Sequence, residues 1–214
     1  MDYYIYEDKQ VLSLFVGEEK KILDVGCGQG RYLIPLSEKN SVIGVDISQS
    51  QLNDLSTRGF NVIHLDDIKV LNADFDFILM SHIIEHITPD NIIDFLDRYI
   101  NFLKPDGKLI IATPLLYDEF YDDYDHIKPY TPKALQILFS DYSQQAYKPD
   151  NRLTLKSLWI RKWPYIFRVW PNDNNWHRII KRIMNRGLLY IYRMSGGSIG
   201  RVTGWVGEFI KDSN

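Results

Sequence analysis

The chain has 214 residues, enough for one domain with a sizeable core. Hydrophobic residues make up 45% and charged residues 25%, which excludes disorder, collagen and coiled coil as whole-chain descriptions. The net charge of −3 divides unevenly: residues 148–201 hold 12 Lys/Arg against 2 Asp/Glu, a net of +10, and the remainder holds 13 against 26, a net of −13.

No apolar run reaches the roughly 18 residues of a membrane span. The opening Met1-Asp2-Tyr3-Tyr4-Ile5-Tyr6-Glu7 lacks the basic-then-apolar order of a signal peptide. The single cysteine, Cys27, leaves no internal disulfide and fits a reducing compartment. A cytoplasmic location is the expectation. All five tryptophans lie after residue 158, so an acidic first part joins a basic, aromatic last part.

The first 20 residues read as a polar lead-in with a short helix near Val11–Phe15. Lys21–Val25 is a short apolar run closed by glycines, the signature of a buried strand. Arg31–Lys39 reads as a helix and Ser41–Asp46 as a second strand. Ser48 is a candidate cap for a helix expected to end at Arg58-Gly59. Asn61–Leu65 and Phe75–Met80 are the third and fourth strands. Pro89-Asp90 opens a helix through Leu103, Lys104–Gly107 is a turn, and Lys108–Thr113 is a fifth strand. Strands alternating with helices predict a doubly wound α/β sheet with right-handed crossovers. Ligands then bind beyond the carboxyl ends of the strands.

The residues that follow those strands are the informative ones. Asp24-Val25-Gly26-Cys27-Gly28-Gln29-Gly30 joins strand to helix, where glycines let backbone N–H groups approach a ligand. Three glycines alone mark only a tight turn. Asp24 adds a charge from which a pyrophosphate binder would gain nothing. Asp46, about 20 residues on, stands where ribose hydroxyls are read. Nicotinamide cofactors are the alternative ligand, but their G-x-G-x-x-G spacing differs from the G-x-G-x-G here.

With these motifs the chain resembles the class I S-adenosylmethionine-dependent methyltransferases. In Ile22–Gly30 an acid precedes alternating glycines, and Val42–Asp46 ends on a second acid. Leu65-Asp66-Asp67, Phe75–Leu79, Ile84-Glu85-His86-Ile87 and Leu103–Leu109 follow in the family's order, over roughly residues 20 to 140. Within that family the motifs stand nearest the ubiquinone-biosynthesis O-methyltransferases. Asp106 replaces the usual second glycine after Lys-Pro.

The resemblance implies a Rossmann-like, mostly parallel seven-stranded sheet, and S-adenosylmethionine as cofactor. Gly26, Cys27, Gly28 and Gly30 would hold its methionine part, with Asp24 near the ammonium. Asp46 would bond both ribose hydroxyls, and Asp66 the adenine amino group, beside Asp67 and Ile68. Ile47 and Ser81 complete the cofactor set. Cys27 reads as a small loop residue rather than a nucleophile.

A hydroxyl acceptor needs a base or a metal to take its proton. If Ser81–His86 begins a helical turn, His82, Glu85 and His86 share one face, a two-histidine, one-carboxylate set suited to a divalent metal. Relatives that bind no metal carry a similar Glu-His pair, which then only shapes the turn. His126 lies in an acidic, aromatic stretch ahead of Tyr130-Thr131-Pro132, and it is the first choice for general base. The expected catalytic set is His126, His86 and Glu85. Thr131 reads as an N-cap with Pro132 in the first turn.

The chain reads as one domain over 1–214. Its core spans 20–147 and 203–212, and a basic, aromatic insertion or lid spans 148–202. Ser143–Tyr147 and Trp205–Ile210 are the expected last two strands. Trp176, Ile179, Ile180, Ile183 and Ile191 recur at helical spacing among Arg178, Lys181, Arg182 and Arg186. This basic amphipathic helix has three readings: a cap packed on the domain, a peripheral membrane contact, or a nucleic-acid contact that the acidic main domain opposes. The expected substrate is a small or lipid-linked acceptor methylated at oxygen. The competing expectation is a cofactor-binding but inactive subunit that stabilises a partner protein.

Overall fold

A computed structural model describes residues 4–72, 74–140 and 148–213. Seven strands form one sheet: β1 (Lys21–Val25), β2 (Ser41–Asp46), β3 (Val62–His64), β4 (Phe75–Ser81), β5 (Leu103–Pro114), β6 (Leu153–Trp163) and β7 (Arg201–Lys211). Their order is β3-β2-β1-β4-β5-β7-β6. The first five are parallel, and β7 runs antiparallel to both β5 and β6. The expected α/β architecture is therefore present.

β1 is buried on both faces, as parallel strands covered by helices are. Ile22 faces one apolar core and Leu23 the other. The helices are α1 (Ile5–Ser13), α2 (Leu33–Leu36), α3 (Gln49–Thr57), α4 (Ile92–Ile100), α5 (Pro132–Phe139) and α6 (Asn175–Met194). In α4, Ile92, Leu96, Tyr99 and Ile100 recur at helical spacing and are all buried. Thr131 caps α5 as expected, its Oγ1 accepting from the Ala134 N–H at 3.1 Å. The predicted turn at Lys104–Gly107 is an excursion inside β5, where the register against β4 jumps from Leu103 to Lys108.

Two expectations need correction. The helix predicted over Arg31–Lys39 is a single turn at Leu33–Leu36, because Gly30 and the capless start leave little to propagate it. The insertion predicted over 148–202 begins with a core strand. Leu153–Trp163 pairs with β7 along its length, with register shifts at Leu155/Ser157 and Arg161/Lys162. Lys156-Ser157 and Leu158-Trp159-Ile160 break the alternation there, so the segment does not read as a strand in the sequence. Of that span, 148–152 and 164–200, the latter with α6 inside it, lie outside the sheet. The predicted strand Ser143–Tyr147 falls outside the described residues.

Candidate active site

The carboxyl ends of β1, β2 and β4 open into two adjoining clefts. One, of about 350 Å³, is lined by Val45, Asp46, Ile47, Leu65, His86, Phe95 and Tyr99. The other, of about 360 Å³, is lined by Tyr4, Asp24, Cys27, Gly28, Arg31, Tyr32 and Ser81. Gly26, His82 and Ile83 border both. Of the predicted cofactor residues, Asp24, Gly26, Cys27, Gly28, Asp46, Ile47 and Ser81 line these clefts. Gly30 sits in the turn behind them, under Leu55 and Ile34. Asp66 and Asp67 are exposed, and Ile68 points into the core.

The glycine loop shapes this space. Gly26 has φ +71°, and a Cβ there would stand 2.0 Å from Ile83 Cδ1. Gly28 has φ +51°, and its N–H donates to Asp46 Oδ2 at 2.8 Å. The Ser48 N–H donates to Asp46 Oδ1, also at 2.8 Å. These two bonds lock the Asp46 carboxylate at the cleft wall.

Asp24 is in a different condition. It is buried, and its Oδ2 has no hydrogen-bond partner among the described residues. Burial, reinforced by the nearby Asp46 charge and opposed by the Leu33 N–H, pushes its carboxyl up to about 7. Burial and the same two carboxylates push the Cys27 thiol up to about 12, so it is no thiolate nucleophile.

At the other end of the cleft, side chains from distant elements meet. Glu7 of α1 is fully buried. Its Oε1 lies 2.8 Å from His82 Nε2, and its Oε2 accepts from Arg161 Nη1 at 2.7 Å. Arg161 comes from β6, where a register shift at Arg161/Lys162 re-aims the strand. Its guanidinium lies over Gly204, which leaves room by lacking a Cβ, and it donates to the Thr203 carbonyl at 2.8 Å. Burial alone would raise the Glu7 carboxyl, but His82 and then Arg161 and Arg31 hold it at about 2. Burial alone would lower the His82 imidazolium, but Glu7 and then Glu85 lift it to about 8.

This arrangement corrects the predicted face of His82, Glu85 and His86. The segment does not begin a helical turn at His82. That residue has φ +56°, and a 3-10 turn covers only Ile84–His86. His82 therefore turns to Glu7, with its Nδ1 3.3 Å from Glu85 Oε1. His86 turns the other way, its ring 5.0 Å from that of His126. The set whose ligand atoms lie within 4.8 Å of one another is Glu85, His86 and His126.

Both histidines of that set are held from behind. His126 Nδ1 lies 2.6 Å from the Phe120 carbonyl, and His86 Nδ1 lies 3.1 Å from that of Asp125. Facing a carbonyl, each Nδ1 carries the proton, which leaves the lone pair on Nε2. The Ile127 and Lys128 N–H groups clamp the His126 loop to the Glu85 carbonyl. Glu85 is buried and accepts from Thr113 Oγ1 at 2.9 Å. Of the expected catalytic residues, only His86 lines the cleft; His126 packs behind it, its ring 4.6 Å from Phe120.

Tyr4, Glu7, Arg31, Arg161 and Trp163 are the site residues that sequence reasoning did not find. Glu7 left one trace: it falls four residues before Val11, on the buried face of α1, and a buried acid requires a partner. Edge-to-face contacts link His82 to Tyr4, Tyr4 to Trp163 and Trp163 to Tyr117. Tyr117 in turn lines a groove of about 450 Å³ with Leu116, Asp118, Tyr165, Ile166, Phe167, Arg201 and Val202.

A family model described as a methyltransferase domain matches residues 1–167. A carboxy-S-adenosyl-L-methionine synthase from Campylobacter hominis is 28% identical over 188 residues, 76% of this chain and 78% of that protein. A ubiquinone biosynthesis O-methyltransferase from Rickettsia felis is 34% identical over 101 residues, 44% of this chain and 41% of that protein. This second match thus spans less than half of either partner. A solved SAM-dependent methyltransferase from Archaeoglobus fulgidus superposes with a TM-score of 0.62 at 21% identity, covering 96% of this chain and 91% of its own. The Burkholderia thailandensis 1,6-didemethyltoxoflavin-N1-methyltransferase does so with a TM-score of 0.60 at 18% identity, covering 97% and 77%. At these identities the two structures share the fold.

Proposed function

This chain belongs to the methyltransferase-domain family, and from that premise we propose that it moves a methyl group from S-adenosylmethionine to an oxygen of a small, partly apolar acceptor. The observation that carries the cofactor reading is Asp24: a buried carboxylate oxygen with no partner, at the glycine loop, suits an ammonium ligand. Asp46, fixed by two N–H donors, would accept from ribose hydroxyls. Ile47, Leu65, Phe95 and Tyr99 would enclose the adenine. When bound, the cofactor supplies a methyl group activated on a sulfonium. The chain's own residues then align the acceptor and exclude water.

The aromatic groove beside Tyr117 is the proposed acceptor entry, since ring contacts connect it to His82 at the cleft. His86, which lines the cleft, would take the acceptor proton on Nε2. His126, packed against it, would share or position that proton. Replacement of either histidine by alanine should lower turnover by roughly 100-fold or more, while cofactor affinity stays within a few-fold. Calorimetry and labelled-methyl transfer from cell extracts measure the two. Unchanged turnover in both variants would reject the assignment. Cofactor binding with no labelled product in the unmodified chain would favour an inactive, partner-stabilising subunit. Mass spectrometry of the spent cofactor separates transfer from modification of the cofactor itself, the reaction named for the Campylobacter relative.

The Glu85, His86 and His126 grouping supports a second reading of the same chemistry. Two imidazoles and one carboxylate suit zinc or iron better than magnesium, and each imidazole is oriented by a carbonyl behind it. Such a metal would polarise the acceptor oxygen. Activity unchanged by exhaustive chelation would remove this reading.

A further inference from the structure

The packed-cap reading of the last helix does not survive the structure. In α6 the one buried residue is Tyr192, whose hydroxyl donates to the Lys162 carbonyl at 2.8 Å. Asn185 ties the same side to Phe167 by two hydrogen bonds, at 2.7 and 3.0 Å. Lys181 bonds Asp173 at 2.7 Å, again on that side. The apolar residues lie opposite. At the helical step, Trp176, Ile179, Ile180, Ile183, Ile191 and Met194 fall within an arc of about 120° that points away from the domain. They are open to solvent: Trp176 is 74% exposed, Ile183 63% and Met194 71%.

The charges beside this arc have one sign. Arg182, Arg186 and Arg193 line one edge of it, and α6 carries no Asp or Glu. None of the three makes an ion pair among the described residues. At about 30 Å the helix is long, yet no helix of the described residues is long and apolar enough to cross a membrane. A large apolar face edged by arginine and carrying a tryptophan is the pattern of a helix lying in a bilayer interface. A second copy fits less well in the antiparallel arrangement, since an antiparallel twofold contact through this face would bring the arginine stripes together.

We propose that the outward face of α6 docks on an anionic lipid bilayer. The placement gives the docking a purpose. Phe167, held by Asn185 of α6, lines the groove that begins at Tyr117, together with Tyr165 and Ile166. Docking through the opposite face of α6 would bring that groove toward the lipid surface, the source of an amphiphilic acceptor. This last step rests on the methyltransferase reading; the docking does not.

The test is co-sedimentation of the full chain with phosphatidylcholine vesicles, with and without about one-third phosphatidylglycerol. The chain should pellet with the anionic vesicles, and added salt should weaken that binding. Ile183→Asp should lower the partition at least tenfold. Combined Arg182→Ala, Arg186→Ala and Arg193→Ala should lower it roughly 100-fold. These positions are exposed, so circular dichroism and cofactor calorimetry should be unchanged in both variants. A chain that stays in the supernatant with both vesicles overturns the proposal. So does a concentration-dependent dimer, seen by analytical ultracentrifugation, that Ile183→Asp dissolves while vesicle binding is absent. Failure of the unmodified chain to bind S-adenosylmethionine would instead strike the methyltransferase reading and leave the vesicle result standing.

Discussion

The two ends of the cleft each bury a carboxylate, and they do so with opposite results. Glu7 at the proposed acceptor end is enclosed by His82, Arg161 and Arg31, and its carboxyl is held at about 2. Asp24 at the proposed cofactor end has one oxygen without a partner among the described residues, and its carboxyl rises to about 7. Burial raises both carboxyl groups, so the difference lies in the company each one keeps. The paired acid closes the structure by clamping α1 to β6 across the top of β4. The acid without a partner among the described residues is the one proposed to meet a ligand's ammonium. Around the glycine loop the donors are mostly backbone N–H groups, whereas around Glu7 they are long side chains from three separate segments.

The difference shows most sharply when the backbone end is blocked. Gly26→Ala places a methyl group 2.0 Å from Ile83 Cδ1 at a φ of +71°. Ile83 borders both clefts, so it cannot yield without narrowing them. Affinity for S-adenosylmethionine should fall by roughly 100-fold, about 2.7 kcal/mol. Calorimetric affinity within threefold of the unmodified chain would show that the loop is not the cofactor cradle.

Disturbing the side-chain end should affect folding first. Arg161→Met removes one of the cations around buried Glu7 and leaves His82 and Arg31 as its partners. The expected loss is about 3 kcal/mol of stability. The double variant Glu7→Met, Arg161→Met should recover part of that loss, because the buried acid is gone and His82 keeps Glu85. Chemical denaturation of the two single variants and the double gives the coupling directly. If the double variant is as unstable as the sum of the singles, the clamp is not an ion pair in any energetic sense.

The same contrast explains what the sequence made legible. Asp24, Gly26, Gly28 and Asp46 stand within or just after short strands, and the parallel order places the ends of those strands together. Their proposed roles follow from the resemblance that this local pattern carries. The fold was legible for the same reason through β5. Glu7, His82 and Arg161 are separated by 75 and 79 residues, and only the β6–β7 pairing brings Arg161 over the cleft. β6 itself was obscured because two register shifts break its alternation and its Trp, Arg and Lys residues read as a surface segment. His82 was misplaced for a smaller reason: a single positive φ ends the helical spacing that would have put it beside His86. The outward turn of α6 was not legible either, since an amphipathic pattern gives a face but not its direction.

The finest probe of the comparison is pH, because burial lifts the Asp24 carboxyl into the neutral range. Its carboxyl stands at about 7 in the folded chain, above an ordinary value of 3.8. The folded state therefore keeps a proton that the unfolded chain releases. Its contribution to stability is present below pH 4 and is lost as pH rises through 7. A ligand ammonium favours the carboxylate, so binding below pH 7 must expel that proton. Affinity for S-adenosylmethionine should then rise with pH up to about 7, by at most tenfold per unit. Near pH 8 an α-amino group begins to lose its own charge, so the profile should turn over into a bell. Titration at pH 6 in two buffers of different ionisation enthalpy should register proton release, and Asp24→Asn should abolish both the release and the rising limb. Equal affinity at pH 5.5 and 7 in the unmodified chain would mean that Asp24 does not face the ligand's charge.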